Sequence, residues 1–503
     1  MALVFLFSGW LSSLITLSAP VLFVYLASLL RRLPLPKGAP KLAHGWPVFG
    51  SIDFYRSRQQ FIGKEKQKSG TGQFSFTYGP FNIIALSGHA ARESFYSSRP
   101  LDLLPAFYKL YAAAPEIEFF GRDLADSFLQ TFRKFVQRDY LSSNLDNFVN
   151  DAHKSLSSID PNMPIDPFEH IFLLIYQLSH RSLGCNEIAE DPYLLKYTME
   201  IVRAIDWTSG LQIMFTGLPT IPKLKKYIAG LKLYWILNKA IEDRRNTGKR
   251  QTDTMQVLMD QGYDNTLVSC FIVAGIFAAV TNTGNQAAWV LCHLADNREW
   301  YDRVRNEVDA VIARQREKNS DKTPVPVIDI LRQLPMDAWE KEFPSIDLAL
   351  RESIRLNMAG VSFRENISSQ NVVIQPGHGS GEVIPPNVYA VYDMDDVHFD
   401  EAIYSNPNKW DPSRYLPGRE EHKKTTYGYL GWGVGLHPCP GQRFAQLEVT
   451  LTTVMFIAQY DYHLCDKMGD KWTGPLPSVD HGNFLGTKRP KERVHLKVVP
   501  RAY

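Results

Sequence analysis

Cysteine is scarce in this 503-residue chain, and the five present, Cys185, Cys270, Cys292, Cys439 and Cys465, are widely spaced and never form a CxxC pair. An odd number without paired spacing argues against a disulfide framework and against a cysteine zinc site; reduced thiols are expected. An excess of one charge is lacking too. With 55 basic and 53 acidic residues the formal charge is +2, and without a long basic block no nucleic-acid partner is expected. Internal repeats are absent. The glycines at 431, 433 and 435 do not make a dinucleotide fingerprint, because their spacing is wrong and no βαβ unit surrounds them.

What is present is apolar bulk. The chain is 45% hydrophobic and 12% aromatic, enough for a large core in one big domain or two. The run "LVFLFSGWLSSLITLSAPVLFVYLASLL", Leu3 to Leu30, carries no charge and is long enough to cross a bilayer. No basic segment precedes it and it exceeds a signal-peptide core, so a membrane anchor is expected. Arg31, Arg32, Lys37 and Lys41 follow, which by the positive-inside rule places the rest of the chain in the cytosol. Residues 1–32 then form the anchor and its basic flank. Residues 33–40, with "PLPKGAP", form a stiff extended hinge, and 41–503 is the globular part.

Helical period covers Leu224 to Arg244 and Leu267 to Val304. Strand patterning marks "FNIIALSG" and, as a pair round a glycine-rich loop, Asn371 to Asp393. The chain reads as mainly α with a small β region. The chemistry concentrates in "GWGVGLHPCPGQRFAQLEVT", residues 431 to 450. Its glycines permit positive φ and close approach to a flat ligand. Pro440 suits a first helical turn, which places Cys439 at a helix N-terminus, where N–H groups and the dipole favour a thiolate able to bind iron. The alternative is a cysteine that merely fills a tight turn.

Taken as a pattern, Trp432-x-x-Gly435-x-His437-x-Cys439-x-Gly441 resembles the haem-binding loop of cytochrome P450 enzymes, with Trp for the usual Phe and His for the usual Arg. Two further segments carry the resemblance in the same chain order: "LRESIRL", with Glu352 and Arg355 as an ExxR pair, and "KWDPSRY", with Arg414. The resemblance implies the P450 fold, a haem b held by Cys439, and a structural triad of Glu352, Arg355 and Arg414. It implies haem contacts from Trp432, Gly435, His437 and Gly441, and from Arg133, although Arg133 and Lys134 equally suit a solvated helix face. Pro440 has no N–H to offer the sulfur, so a more electron-rich thiolate is expected.

The long helix over the haem should be Ser269 to Leu294. Where the family carries an acid and then a threonine, this chain has Thr281 and Asn282, followed by Thr283. Asn282 and Thr283 are therefore the expected oxygen-side residues. An amide hydrogen-bonds but does not titrate near neutrality; alternatively Asn282 only bends the helix. "NTGNQAAW" looks like the branch containing sterol 7α- and 12α-hydroxylases and prostacyclin synthase.

The same resemblance places Ala278, Ala279, Val361, Ser362, Phe484 and Leu485 round a substrate pocket suited to an apolar sterol or terpenoid. The expected function is an endoplasmic-reticulum monooxygenase of fungal secondary metabolism, using O2 and electrons from NADPH-cytochrome P450 reductase. The competing readings are a reductase-independent isomerase or dehydratase and a non-catalytic haem or sterol binder. A thiolate ligand argues against the last, since haem carriers use two protein ligands, usually His or Met.

Overall fold

Between Phe74–Tyr78 and Phe81–Leu86 the chain must reverse, and Gly79, at φ +52°, provides the turn. These strands, β1 and β2, pair antiparallel with Phe76 opposite Ile83. They lead a five-stranded sheet of order β1-β2-β7-β4-β3. Here β3 is Leu101–Asp102, β4 is Val361–Asn366, and a short pair, β5 (Val372–Val373) and β6 (Val383–Ile384), precedes β7 (Tyr389–Asp393). Every residue of β7 is buried, as expected of a strand flanked on both sides by β2 and β4.

The computed structural model describes residues 34–47, 49–111, 122–206, 210–214, 220–318, 325–358, 360–374, 381–479 and 487–502, with Pro20 and Val24. The sequence-predicted anchor otherwise lies outside the described residues. The hinge is not wholly extended: Ala39 N–H donates to the Pro36 carbonyl at 2.9 Å, closing a turn through Lys37 and Gly38. Two compact units divide the chain. The smaller draws on Met1–Tyr111, Ser209–Leu218 and Val361–Asp393, and the larger on Ala112–Thr208, Pro219–Gly360 and Met394–Tyr503.

 The segment Val361–Asp393 thus contributes β4 to β7 to the smaller unit.

Helices build the larger unit, so the chain is mainly α with a small β region. Those that position the site are α1 (Arg122–Phe135), α2 (Pro167–Leu183), α3 (Ile221–Thr247), α4 (Asn265–Asp296), α5 (Pro344–Asn357) and α6 (Gln442–Gln459). The Asp264 carboxylate caps α4 by accepting from Leu267 N–H at 2.8 Å. The helix is apolar enough to suit a membrane, yet its second half, including Trp289, Leu291 and Cys292, is buried in the core. Gly284 lets it approach α2 closely: a Cβ there would meet the Phe172 ring at 2.7 Å.

Two sequence expectations change. The helical period from Leu267 to Val304 is two helices, because Asn297 is extended (φ −121°, ψ 95°) and its side chain accepts from Trp300 N–H, starting a second helix, Arg298–Lys318. The helix expected from Pro440 begins at Gln442, with Gly441 as its cap.

The segment leading to the cysteine loop is held by a buried ion network. On α5 the Glu352 carboxylate accepts two bonds from Arg355, at 2.9 and 2.8 Å, one from Arg414 Nε at 3.0 Å and one from the Tyr415 hydroxyl at 3.1 Å. Glu352, Arg355 and Arg414 are fully buried. Such a site is favourable only if every charge is paired and every donor used. Arg355 also donates to the His398 and Pro407 carbonyls, and Arg414 to the Ser405, Asn406 and Lys409 carbonyls and to Glu421. His398 Nε2 then accepts from Leu430 N–H at 3.0 Å, and the Tyr404 hydroxyl donates to the Gly428 carbonyl at 2.7 Å. The network thereby reaches the residues just ahead of Gly431.

Glu421 gives this network a pH signature. Burial raises its pKa, but Arg419, Ser405 and Arg414 outweigh burial and bring it from 4.5 to about 2. A depressed carboxyl pKa contributes stability that is complete above the unfolded value and is lost as pH falls through the folded one. Acid unfolding followed by circular dichroism should therefore show this loss between about pH 4.5 and 2, and Glu421→Gln should flatten that part of the curve.

Candidate active site

The cysteine loop is closed by its own backbone. Cys439 N–H donates to the Trp432 carbonyl at 2.6 Å and Gly433 N–H to the Leu430 carbonyl at 3.0 Å. Gly433 and Gly435 both adopt φ +66°. At Gly433 a Cβ would stand 2.5 Å from the His437 carbonyl oxygen, so a side chain is excluded by both conformation and space. Pro440 gives the sulfur no N–H, as expected, and the Gly441 and Gln442 amides that follow act to stabilise its charge. Burial is the larger effect and pushes the thiol pKa up, while those amides pull it down.

Cys439 opens onto a cavity of about 250 Å³ within the larger unit. Phe128, Leu129 and Phe132 of α1 form part of its wall, with Leu350 and Ile354 of α5. Ala278, Ala279, Asn282, Thr283 and Gln286 of α4 form another part, and the loop adds Gly431, Trp432, Gly433, Cys439, Pro440 and Gly441. Phe444, Ala445, Glu448 and Val449 of α6, with Met358 and Thr487, complete it.

The sequence-predicted Ala278, Ala279, Asn282, Thr283, Trp432, Cys439 and Gly441 thus share one cavity. Gly435 and His437 belong to the loop but not to the cavity lining, and Arg133 lies on the exposed face of α1. Val361 and Ser362 open β4 in the smaller unit, where Ser362 shares a 2.8 Å hydrogen bond with the Tyr96 hydroxyl. Phe484 and Leu485 lie outside the described residues. Asn282 does not interrupt its helix: α4 is continuous through it, and the Asn282 Oδ1 accepts from Thr487 N–H at 3.0 Å.

Sequence reasoning missed the aromatic wall of α1, Gln286, Thr487 and Glu448. Glu448 is buried, accepts from the Ser179 hydroxyl at 2.8 Å through one oxygen, and has no partner for the other among the described residues. Burial pushes its pKa well above the ordinary carboxyl value, against the Ser179 bond. The signal was available in the spacing Cys439-x-Gly441-x-x-x-Ala445-x-x-Glu448, which places Ala445 and Glu448 three apart on the helix that follows the cysteine.

These residues fit a haem. The lining is predominantly apolar, glycine backbone replaces side chains beside the sulfur, and a Cβ at Gly441 would find nothing nearer than Phe132 at 3.9 Å. Gly433→Ala should force the loop out of its conformation. We expect the purified variant to lose most of its haem, measured as the ratio of Soret to protein absorbance, while its far-ultraviolet circular dichroism stays helical.

Comparison with known proteins agrees with this geometry. The family model described as Cytochrome P450 matches residues 122–479. Cytochrome P450 monooxygenase AacuE of Aspergillus aculeatus is 30% identical over 471 residues, spanning 90% of this chain and 91% of its own length. Cytochrome P450 monooxygenase nsrP of Aspergillus novofumigatus is 29% identical over 477 residues, spanning 91% and 90%. Among solved structures, retinoic-acid-bound cyanobacterial CYP120A1 matches with a TM-score of 0.68 at 19% identity, covering 93% of this chain and all of that one. The family match takes in the α4 wall, the ion network and the cysteine loop alike, and the chain belongs to the cytochrome P450 family.

Proposed function

We propose that this chain is a membrane-anchored haem-thiolate monooxygenase in which Cys439 is the axial ligand and an apolar sterol- or terpenoid-like molecule is oxidised. Monooxygenase chemistry and a cysteine-ligated haem come with the family. The carrying observation for the site is that Cys439 opens onto an apolar cavity which also holds Asn282 and Thr283. Bound through the Cys439 thiolate, haem supplies dioxygen activation and insertion of one oxygen atom into the substrate, with electrons from a redox partner.

The chain supplies the rest. Phe128, Phe132, Ala278 and Ala279 hold an apolar substrate and exclude water. The Gly441 and Gln442 amides stabilise negative charge on the sulfur. Thr283 places a hydroxyl, and Asn282 an amide, on the oxygen side. With threonine and asparagine at 281 and 282, no carboxylate on that turn titrates, so proton delivery runs through hydroxyl and water, with the Asn282 amide only a hydrogen-bond donor. The likeness of "NTGNQAAW" to the sterol-hydroxylase branch supports a polycyclic apolar substrate. A reductase-independent isomerase is not favoured, because the relatives are named monooxygenases.

The membrane reading has support in α3. One face buries Ala229, Leu233, Leu237 and Ile241. The opposite face exposes Ile221, Leu224, Tyr227, Ile228, Leu231 and Trp235, each between 43% and 73% accessible. A surface helix that is apolar on both faces and flanked by exposed lysines, Lys225 and Lys232, suits a lipid interface. Together with the apolar N-terminal run this supports residence at the endoplasmic reticulum and NADPH-cytochrome P450 reductase as electron donor; the fungal relatives support a role in secondary metabolism.

The test is product formation from a panel of sterols and terpenoids in membranes containing the haem-loaded protein. Turnover should require both NADPH and the reductase, and Cys439→Ser should abolish it. Turnover of peroxide substrates without electrons would overturn the reading in favour of an isomerase.

A further inference from the structure

The side chain of Asn282 is fixed by a partner that leaves it no choice of orientation. A backbone N–H only donates, so the Asn282 atom 3.0 Å from Thr487 N is the carbonyl oxygen, and the amide N–H2 is the end left for the cavity. Rotating the amide by half a turn would set two donors against each other.

Thr487 is itself held by α4. Its carbonyl accepts from Asn285 Nδ2 at 3.1 Å, its hydroxyl accepts from Gln286 Nε2 at 2.8 Å, and the next carbonyl, of Lys488, accepts from Trp289 Nε1 at 2.8 Å. Residues 282, 285, 286 and 289 lie on one helix face. Thr487 is fully buried and also bridges to Met358. The backbone N–H that orients Asn282 is therefore anchored on three further sides.

We propose that Asn282 is locked as a hydrogen-bond donor by the Thr487 backbone, and that it selects molecules presenting an acceptor oxygen, such as a carbonyl, hydroxyl or ether, to that wall of the cavity. Asn282 is then a specificity-determining residue, and Thr487 a positioning residue that acts through it. An unlocked amide would serve donors and acceptors alike; a locked one discriminates. The inference rests on haem occupying this cavity through Cys439.

Carbon monoxide is the probe, since its bound oxygen is an acceptor and a nearby N–H donor lowers the C–O stretching frequency. Infrared spectra of the ferrous carbon-monoxide complex should show the band at higher frequency in Asn282→Leu than in wild type. Asn282→Asp at pH 9 should behave like Asn282→Leu, because a carboxylate satisfies Thr487 N–H but donates nothing. Thr487→Ala, which keeps the backbone N–H, should leave the band in place.

The proposal is overturned by an unchanged band in Asn282→Leu, by a wild-type band in Asn282→Asp, or by a shift in Thr487→Ala equal to that of Asn282→Leu. Substrate-type difference spectra give a second readout. Wild type should bind an apolar ketone more tightly than its parent hydrocarbon by about tenfold, the scale of one hydrogen bond, and Asn282→Leu should erase the preference. Equal preference in both would also overturn it. Absence of the red-shifted thiolate Soret band in wild type would instead be a failure of the Cys439 haem reading.

Discussion

A single buried carboxylate organises the route to the catalytic cysteine. Glu352 sits at zero exposure with two guanidinium groups bonded to it. Removing one partner from such an arrangement costs about 3–5 kcal/mol, because the charges left behind stay buried and uncompensated. The arginines use their remaining donors on carbonyls of residues 398 to 409, a stretch with little regular structure of its own. Charge pairing therefore does for this segment what ladders of backbone bonds do for a sheet. From there His398 and Tyr404 fasten residues 428 and 430, and the loop that carries Cys439 begins one residue later.

The central helix serves two ends by dividing its length. Its second half is packed on all sides, with Gly284 allowing contact with Phe172. The turn at 278 to 286 instead shows small and polar residues to the cavity, and the polar ones hold the chain at 487, while Trp289 beyond them holds it at 488. The departure from the family's usual acid and threonine thus has a structural meaning as well as a chemical one. Asn282 belongs both to the oxygen side of the cavity and to the joint that fixes the C-terminal segment.

Much of this was legible in the sequence, for physical reasons. Cys439 could be found because its loop needs glycines at positive φ, and Glu352, Arg355 and Arg414 because their order is fixed by one network. The α4 span was legible from its apolar period, but its end was not: the pattern ran through Asn297, whose capping role is local. The start of α6 was misplaced by two residues, because Pro440 suits a first turn yet lies ahead of the actual cap. Glu448 and Thr487 were missed for different reasons. A lone glutamate on a helix ordinarily reads as solvated, and Thr487 acts mainly through its backbone, which sequence chemistry does not display.

The central claim is that the buried network sets the position of Cys439. It is tested most directly by the absorption spectrum of the ferrous carbon-monoxide complex in Arg414→Lys beside wild type, at a temperature where circular dichroism shows both folded. Lysine keeps the charge but not the planar fork that reaches Glu352, Glu421 and three carbonyls together. The account predicts the red-shifted thiolate band in wild type and its replacement, in the variant, by the band of haem without a thiolate ligand. A variant that keeps the wild-type band in full would contradict it.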